Sequence, residues 1–327
     1  MSRALLKQIY RQPWEEILEQ SVTNARELSL VLDVNEAEVQ EVASHYPMRI
    51  NPYYLNLIRQ KGDPFYSQAV PCIQEISDRR GYEDPLGEES LSPVPGLTHK
   101  YPDRVLFLVS CRCAMYCRFC NRKRKVGRAS MVTRVSIREG ISYIRKTPRV
   151  RDVLLSGGDP LLLSDRKLFE ILSELKSIPH VEIIRIGTRV PCTLPQRITP
   201  ELVNMLRGFH PLYINTHFNH PDEITAEASL ACERLSDAGI PVGCQTVLLK
   251  GVNDDTDVMV SLMRKLLSIR VRPYYLFQAD LVRGTSHFWT PVKRGLQIIT
   301  YLRTNFSGLC VPHYAIDLPG GGGKVVL

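Results

Sequence analysis

The chain has 327 residues, of which 44% are hydrophobic and 23% charged, with a formal net charge of +8. These values belong to a folded soluble chain of one large or two ordinary domains and exclude collagen-like, coiled-coil and disordered readings. No apolar run approaches the roughly 18 residues of a membrane span. The opening MSRALLKQIYRQPWEEI is broken by charge too early for a secretory signal, so a cytoplasmic protein with no membrane partner is expected.

In chain order, residues 1–95 read as mainly helical. Trp14, Ile17, Leu18 and Val22 recur at helical spacing, and Leu28, Leu30 and Leu32 do so more loosely. The Pro- and Gly-bearing stretch 84–96 (DPLGEESLSPVPG) is expected to be a linker or a lid. From about residue 104 short apolar runs alternate with helical segments. Strands are expected at 105–109, 152–155, 181–186, 212–215, 242–249 and 272–277. Helices are expected near 134–147, 165–178, 199–208, 223–238, 254–270 and 291–304. Six β-then-α units predict an α/β fold with a parallel sheet, open or closed into a barrel. The expected division is a helical region 1–95, a barrel 96–308, and a C-terminal strand and tail 309–327.

Unusual polar residues follow the strand ends. They are the cysteine cluster after the first strand, Ser156-Gly157-Gly158-Asp159-Pro160 after the second, Thr188 and Arg189 after the third, and Thr216-His217-Phe218-Asn219-His220 after the fourth. Gln245 lies in the fifth strand and Gln278-Ala279-Asp280 end the sixth. In α/β barrels that face carries the active site.

Four of the nine cysteines fall between residues 111 and 120. In a reducing compartment such a cluster points to metal rather than disulfide. Cys113, Cys117 and Cys120 form C-x3-C-x2-C. Three soft thiolates suit a four-iron cluster with one iron left open, whereas structural zinc wants four protein ligands. Cys111 is a possible fourth, but its spacing to Cys113 is tight and it is expected to face the core. Zinc and unrelated buried cysteines therefore stay open beside the favoured cluster. Arg118, Lys123, Arg124, Lys125 and Arg128 read as a solvated basic face. Cys72, Cys192, Cys232, Cys244 and Cys310 read as small buried hydrophobes.

These segments carry a resemblance. CRCAMYCRFCNRKRK, DVLLSGGDPLL, IRIGTRVP, PQRITPELV, NTHFNHPDEIT, VLLKGVNDD, RVRPYYLFQADL and DLPGGGGK together resemble the lysine 2,3-aminomutase family of the radical S-adenosylmethionine (SAM) superfamily, from about residue 98 onward and more loosely through NPYYLNLI. The resemblance implies a partial (β/α)6 TIM-like radical SAM barrel preceded by a helical region. It implies that Cys113, Cys117 and Cys120 bind a [4Fe-4S] cluster whose unique iron chelates SAM. Gly157, Gly158 and Asp159, with His217 and Gln245, would line the SAM site. Lys324, after four glycines, would carry pyridoxal 5′-phosphate (PLP), with Arg104 and Tyr101 helping to seat it. Without the resemblance, Lys324 would pass for a solvated lysine on a flexible tail. Arg122 would bind the substrate α-carboxylate by its two-point fork, and Asp280 and Asp317 the distal ammonium of L-lysine. The implied reaction is an isomerisation in which the α-amino group moves from C2 to C3, giving β-lysine. The implied electron donor is of flavodoxin or ferredoxin type.

The chain departs from the longer members of that family. Asp255 stands where they carry a cysteine after GVND, and the chain stops at Leu327. No structural zinc is expected, and any homo-oligomer built on a zinc-bearing tail is in doubt. Arginine or ornithine as substrate remains open, as do an RNA-modifying enzyme of the same fold and a zinc-holding, anion-binding scaffold. The basic residues are few and no nucleic-acid module is visible, which argues against a nucleic-acid partner.

Overall fold

The computed structural model describes residues 13–327. Residues 1–12, on which most of the signal-peptide reading rests, lie outside them. The described chain begins with six helices, Trp14–Glu19, Ala25–Ser29, Glu36–His45, Pro52–Leu55, Pro64–Ala69 and Gln74–Ser77. Four of them start on Asn24, Asn35, Asn51 and Asp63, whose side chains accept backbone N–H groups of the first turn. Such caps let helices this short persist. The loose leucine spacing covers less than expected: the helix ends at Ser29, Leu28 is fully buried and Leu30 is 80% exposed. Val22 lies beyond the first helix and bridges to Ile50, which in turn bridges to Met115 of the cysteine loop. The Asn51 side chain also donates to the Ala114 carbonyl at 3.1 Å and the Thr193 carbonyl at 2.8 Å. The helical layer is therefore fastened to the loop that carries the cysteines.

Nine strands follow in one sheet whose spatial order is their chain order: β1 Leu97–Tyr101, β2 Arg104–Ser110, β3 Asp152–Gly157, β4 Ile183–Gly187, β5 Leu212–Thr216, β6 Val242–Leu248, β7 Arg272–Gln278, β8 His313–Leu318 and β9 Gly323–Val326. Strands β2 to β8 are parallel neighbours, while β1 and β9 add antiparallel edges. The six strands expected from the sequence are β2 to β7. Each is followed by a long helix: Arg134–Arg145, Asp165–Lys176, Pro200–Arg207, Ala226–Asp237, Thr256–Ser268 and Val292–Asn305. Their apolar stripes face the sheet, as Leu168, Ile171, Leu172 and Leu175 do at helical spacing. Strands β3 and β6 alternate between buried and partly exposed positions. Val153 and Leu155 enter the apolar core under the helices, while Leu154 and Ser156 face a central cavity.

Strands β1 and β9 go beyond the sequence expectation. Thr98-His99-Lys100-Tyr101 is too short and polar to show a period, and β9 is reached only by the turn at Gly320 and Gly321, both with positive φ. The strand edges approach each other, and the backbone N–H of Lys324 donates to the Tyr101 hydroxyl at 3.0 Å. The curled sheet thus nearly closes into a partial barrel. Cys192, Cys232, Cys244 and Cys310 are buried, but Cys72 is only partly so, contrary to expectation; its sulfur lies 3.5 Å from His287 Nε2. Among the described residues no helix is long and apolar enough to cross a membrane.

Candidate active site

The barrel mouth holds a cavity of about 660 Å³. Cys113, Cys117, Cys120, Gly157, Gly158, Asp159, His217, Gln245, Arg122, Asp280, Asp317, Lys324, Arg104 and Tyr101 all line it. These residues come from eight strands or the loops that follow them; most stand toward the C-terminal edge of the curled parallel sheet, while Tyr101 and Arg104 lie where β1 turns into β2.

The cysteine loop is held from behind by buried charge. Glu75 accepts from Arg118 Nη2 at 2.6 Å and from Lys123 Nζ at 2.7 Å. Arg118 and Lys123 are 2% and 6% exposed, so they are not part of a solvated basic face. Both are structural cations, neutralised because an unpaired buried charge is costly. Burial, the nearby Asp159 and the other thiols push the Cys113 thiol well above its ordinary range. Burial and Cys117 push Cys120 up to about 11. Buried thiols such as Cys113 and Cys120 become thiolates readily only against a bound cation. Among the described residues no three His, Cys, Asp or Glu side chains converge on a point that would suit a single metal ion. Beside the sulfurs, Nε and Nη1 of Arg49 are buried without a hydrogen-bond partner, and the guanidinium lies over the Tyr116 ring, 5.7 Å from its centroid. Donors left over next to three thiols fit a cluster that brings its own sulfide acceptors.

Gly157 and Gly158 are required by close approach. Gly157 has φ +129°, and an added Cβ would sit 2.2 Å from the Ser110 carbonyl oxygen; at Gly158 it would sit 2.4 Å from that of Arg112. Backbone is thereby pressed against the cysteine loop, where a side chain would block the cavity. Both Asp159 carboxylate oxygens accept from this loop region: Oδ1 from Leu161 N–H at 3.0 Å, Oδ2 from Arg189 N–H at 2.7 Å, and both from the Thr188 hydroxyl. Its carboxylate thus shapes the turn. Burial and the Arg189 charge pull His217 down to about 3, so it stays neutral. Its Nε2 lies 2.9 Å from Asn219 Oδ1. Asn215 Nδ2 and Thr216 Oγ1 line the same cavity, buried and without partners. Orphaned polar atoms on a cavity wall mark where a polar ligand belongs.

In the same cavity Lys324 stands on β9, directly across from Asp317 on β8. Its Nζ lies 4.2 and 4.3 Å from the ring centroids of Tyr275 and Phe277. Desolvation lowers its pKa, with Arg185 and Arg104 adding to the effect against Asp317. An amine with a depressed pKa is a better nucleophile toward a carbonyl. The Arg104 guanidinium lies 3.9 Å over the Tyr101 ring. Arg122 Nε and Nη2 donate to Glu88, the latter at 2.5 Å, while Nη1 donates to Ser156 Oγ at 3.3 Å. Burial and Asp317 push Asp280 up to about 7, and its Oδ2 accepts from Asn121 at 3.1 Å. Arg283, a possible local partner for Asp280, pairs instead with Glu83.

Several residues of the site had no separate signal in the sequence. Glu88, Glu75 and Glu223 follow no pattern along the chain, and their arginine partners lie more than thirty positions away. Arg189 was visible as a strand-end residue, but its contacts were not.

Comparison with known proteins follows the same lines. The sequence pattern of the Radical SAM superfamily matches residues 107–263. The L-lysine 2,3-aminomutase of Clostridium subterminale is 52% identical over 318 residues, covering 95% of this chain and 76% of that one. That of Acetoanaerobium sticklandii is 57% identical over 284 residues, covering 85% and 68%. The glutamate 2,3-aminomutase of Clostridioides difficile is 47% identical over 316 residues, covering 95% and 75%.

Proposed function

The chain belongs to the lysine 2,3-aminomutase family of radical SAM isomerases, and from that premise we propose that it moves the α-amino group of L-lysine from C2 to C3. Enzymes of this family work with a [4Fe-4S] cluster, SAM and PLP. When bound, the cluster and SAM would supply the radical that takes hydrogen, and PLP would supply a conjugated ring able to spread an unpaired electron.

Cys113, Cys117 and Cys120 hold the cluster. The Gly157-Gly158-Asp159 turn, His217 and Gln245 shape the SAM side of the cavity. His217, being neutral, offers hydrogen bonds without adding charge. Lys324 would hold PLP, Arg104 and the nearby Arg185 would favour its phosphate by charge, and Tyr101 would help seat it by fixing Lys324 through its hydroxyl and Arg104 through its ring. Arg122 presents the Nη1 side of its fork to the substrate α-carboxylate, while Glu88 keeps the other side in place. The protein's task is to fix C3 of the substrate beside the radical source and to exclude water while it reacts. One electron per activation comes from a small donor protein of flavodoxin or ferredoxin type, and the setting is cytoplasmic.

The observation that carries the substrate assignment is the carboxylate pair. Asp280 and Asp317 line one cavity with Arg122 and Lys324, and the Asp317 charge helps raise Asp280 to about 7. A distal ammonium relieves that repulsion, whereas the distal carboxylate of glutamate adds to it. The test is anaerobic turnover with SAM, PLP and reductant on L-lysine, L-arginine, L-ornithine and L-glutamate side by side. Turnover on lysine is expected, with Lys324→Ala losing the visible pyridoxal absorbance. Turnover on glutamate alone would overturn the substrate assignment.

A further inference from the structure

Arg189 follows β4 and is 8% exposed. Its Nη1 donates to Cys117 Sγ at 2.8 Å. Its Nη2 donates to Gln68 Oε1 at 2.6 Å and to Glu223 Oε1 at 2.9 Å. Its backbone N–H is held by Asp159, and its guanidinium lies 5.1 Å from the Phe119 ring centroid and 5.9 Å from that of Tyr54. Glu223 is itself fully fixed, accepting also from the Tyr54 hydroxyl and from the backbone N–H groups of Asn219 and His220. Asn219 Nδ2 donates to Gln68 at 2.9 Å. Groups from the helical layer and from two strand-end loops thus aim one guanidinium at one of the three sulfurs.

We propose that Arg189 is a positioning residue of the iron–sulfur centre, donating a charge-assisted N–H···S bond to the Cys117 thiolate that raises the cluster's reduction potential. The inference rests on the reading of Cys113, Cys117 and Cys120 as cluster ligands. Hydrogen bonds to cluster sulfur and net positive charge stabilise the reduced, more negative state. A dry surrounding strengthens both effects. Gln68 and Glu223 matter because they leave the guanidinium no rotamer other than the one facing sulfur.

The experiment uses the reconstituted full chain without SAM. Iron and sulfide content of the wild type and of Cys117→Ala tests the underlying reading, which fails if the wild type holds no cluster. The inference is tested by redox titration followed by EPR in Arg189→Lys and Glu223→Gln. Arg189→Lys keeps the charge but loses the fork, and Glu223→Gln loosens the aim. Reduction is expected to be about tenfold less favourable in Arg189→Lys, a fall of about 59 mV for one electron, and less so in Glu223→Gln. An unchanged potential together with weakened SAM binding would overturn it, because Arg189 would then be a ligand of the cofactor. If Arg189→Lys fails to hold a cluster, wild-type protein carrying 15N-guanidino arginine decides. A nitrogen coupling to the reduced cluster that survives Arg49→Met supports the proposal, and absence of any coupling overturns it.

Discussion

Asp280 and Asp317 line one cavity, and the Asp280 carboxyl is raised to about 7. Burial is the larger cause and Asp317 the next; Glu88 adds to the repulsion, while the Asn121 bond and the Arg122 charge oppose it. Lys324 faces the same pair. Near pH 6 Asp280 is mostly protonated, and above about 7 it is ionised and attracts the distal ammonium. The KM for L-lysine should therefore fall as pH rises through 7, by up to about tenfold per unit below it. Asp280→Asn should flatten that dependence and weaken binding by about 1.5–3 kcal/mol, the range for a hydrogen bond to a charged group. The stability of the substrate-free protein carries the opposite sign. The folded-state pKa lies above the unfolded value of 3.8, so the folded state binds the extra proton and stability declines between about pH 4 and 7. Asp280→Asn should then be the more stable protein at pH 8 by chemical denaturation. A KM profile that stays sloped in the variant would remove Asp280 as the titrating group.

At the level of elements, the sheet and its helices were legible and the supports behind the site were not. Strands β2 to β7 and their helices announce themselves because short apolar runs, buried on one or both faces, alternate with stretches whose apolar residues recur every 3.6. The site residues at the strand ends could be found for the same reason, since polar groups placed after apolar runs stand out. Glu75 shows no such pattern: it is a single acid on the four-residue helix Gln74–Ser77, and only the folded chain brings it to Arg118 and Lys123. Its importance can be measured. Glu75→Ala leaves two cations buried without a partner, and losing one member of a buried charge set costs about 3–5 kcal/mol. Denaturant unfolding should show that loss, with faster amide exchange across residues 115–125 and a lower iron content after reconstitution. Normal stability in Glu75→Ala would mean that water or Asp78 takes over the pairing. A second element-scale prediction concerns β3. Gly157→Ala forces a Cβ to 2.2 Å from backbone oxygen at a φ of +129°, so the turn must move. The variant should retain the helices by far-ultraviolet circular dichroism and lose SAM binding.

At the scale of the whole molecule, the fold joins chemistry that lies two hundred residues apart. The cysteine loop follows β2 and Lys324 lies on β9, and only the curl of the sheet turns them toward one cavity. Two contacts hold that curl at its seam. The Lys324 N–H donates to the Tyr101 hydroxyl, and the Gly320 N–H donates to the Pro85 carbonyl at 2.9 Å. The second contact gives the stretch 84–96 a more specific part than a linker, because the same stretch carries Glu88, which holds Arg122. It spans from Arg122 to the turn that delivers Lys324. Tyr101→Phe isolates the first contact, since the ring that stacks on Arg104 remains and only the hydroxyl is lost. A net hydrogen bond contributes about 1 kcal/mol, which is roughly a fivefold change in an equilibrium constant. The variant should unfold at nearly the wild-type denaturant midpoint, because the parallel strands do not depend on the seam. It should lose amide protection at Lys324 and its neighbours on β9, and hold PLP about fivefold more weakly. Unchanged protection at Lys324 would show that the glycine turn and the β8 pairing position this lysine without help from β1.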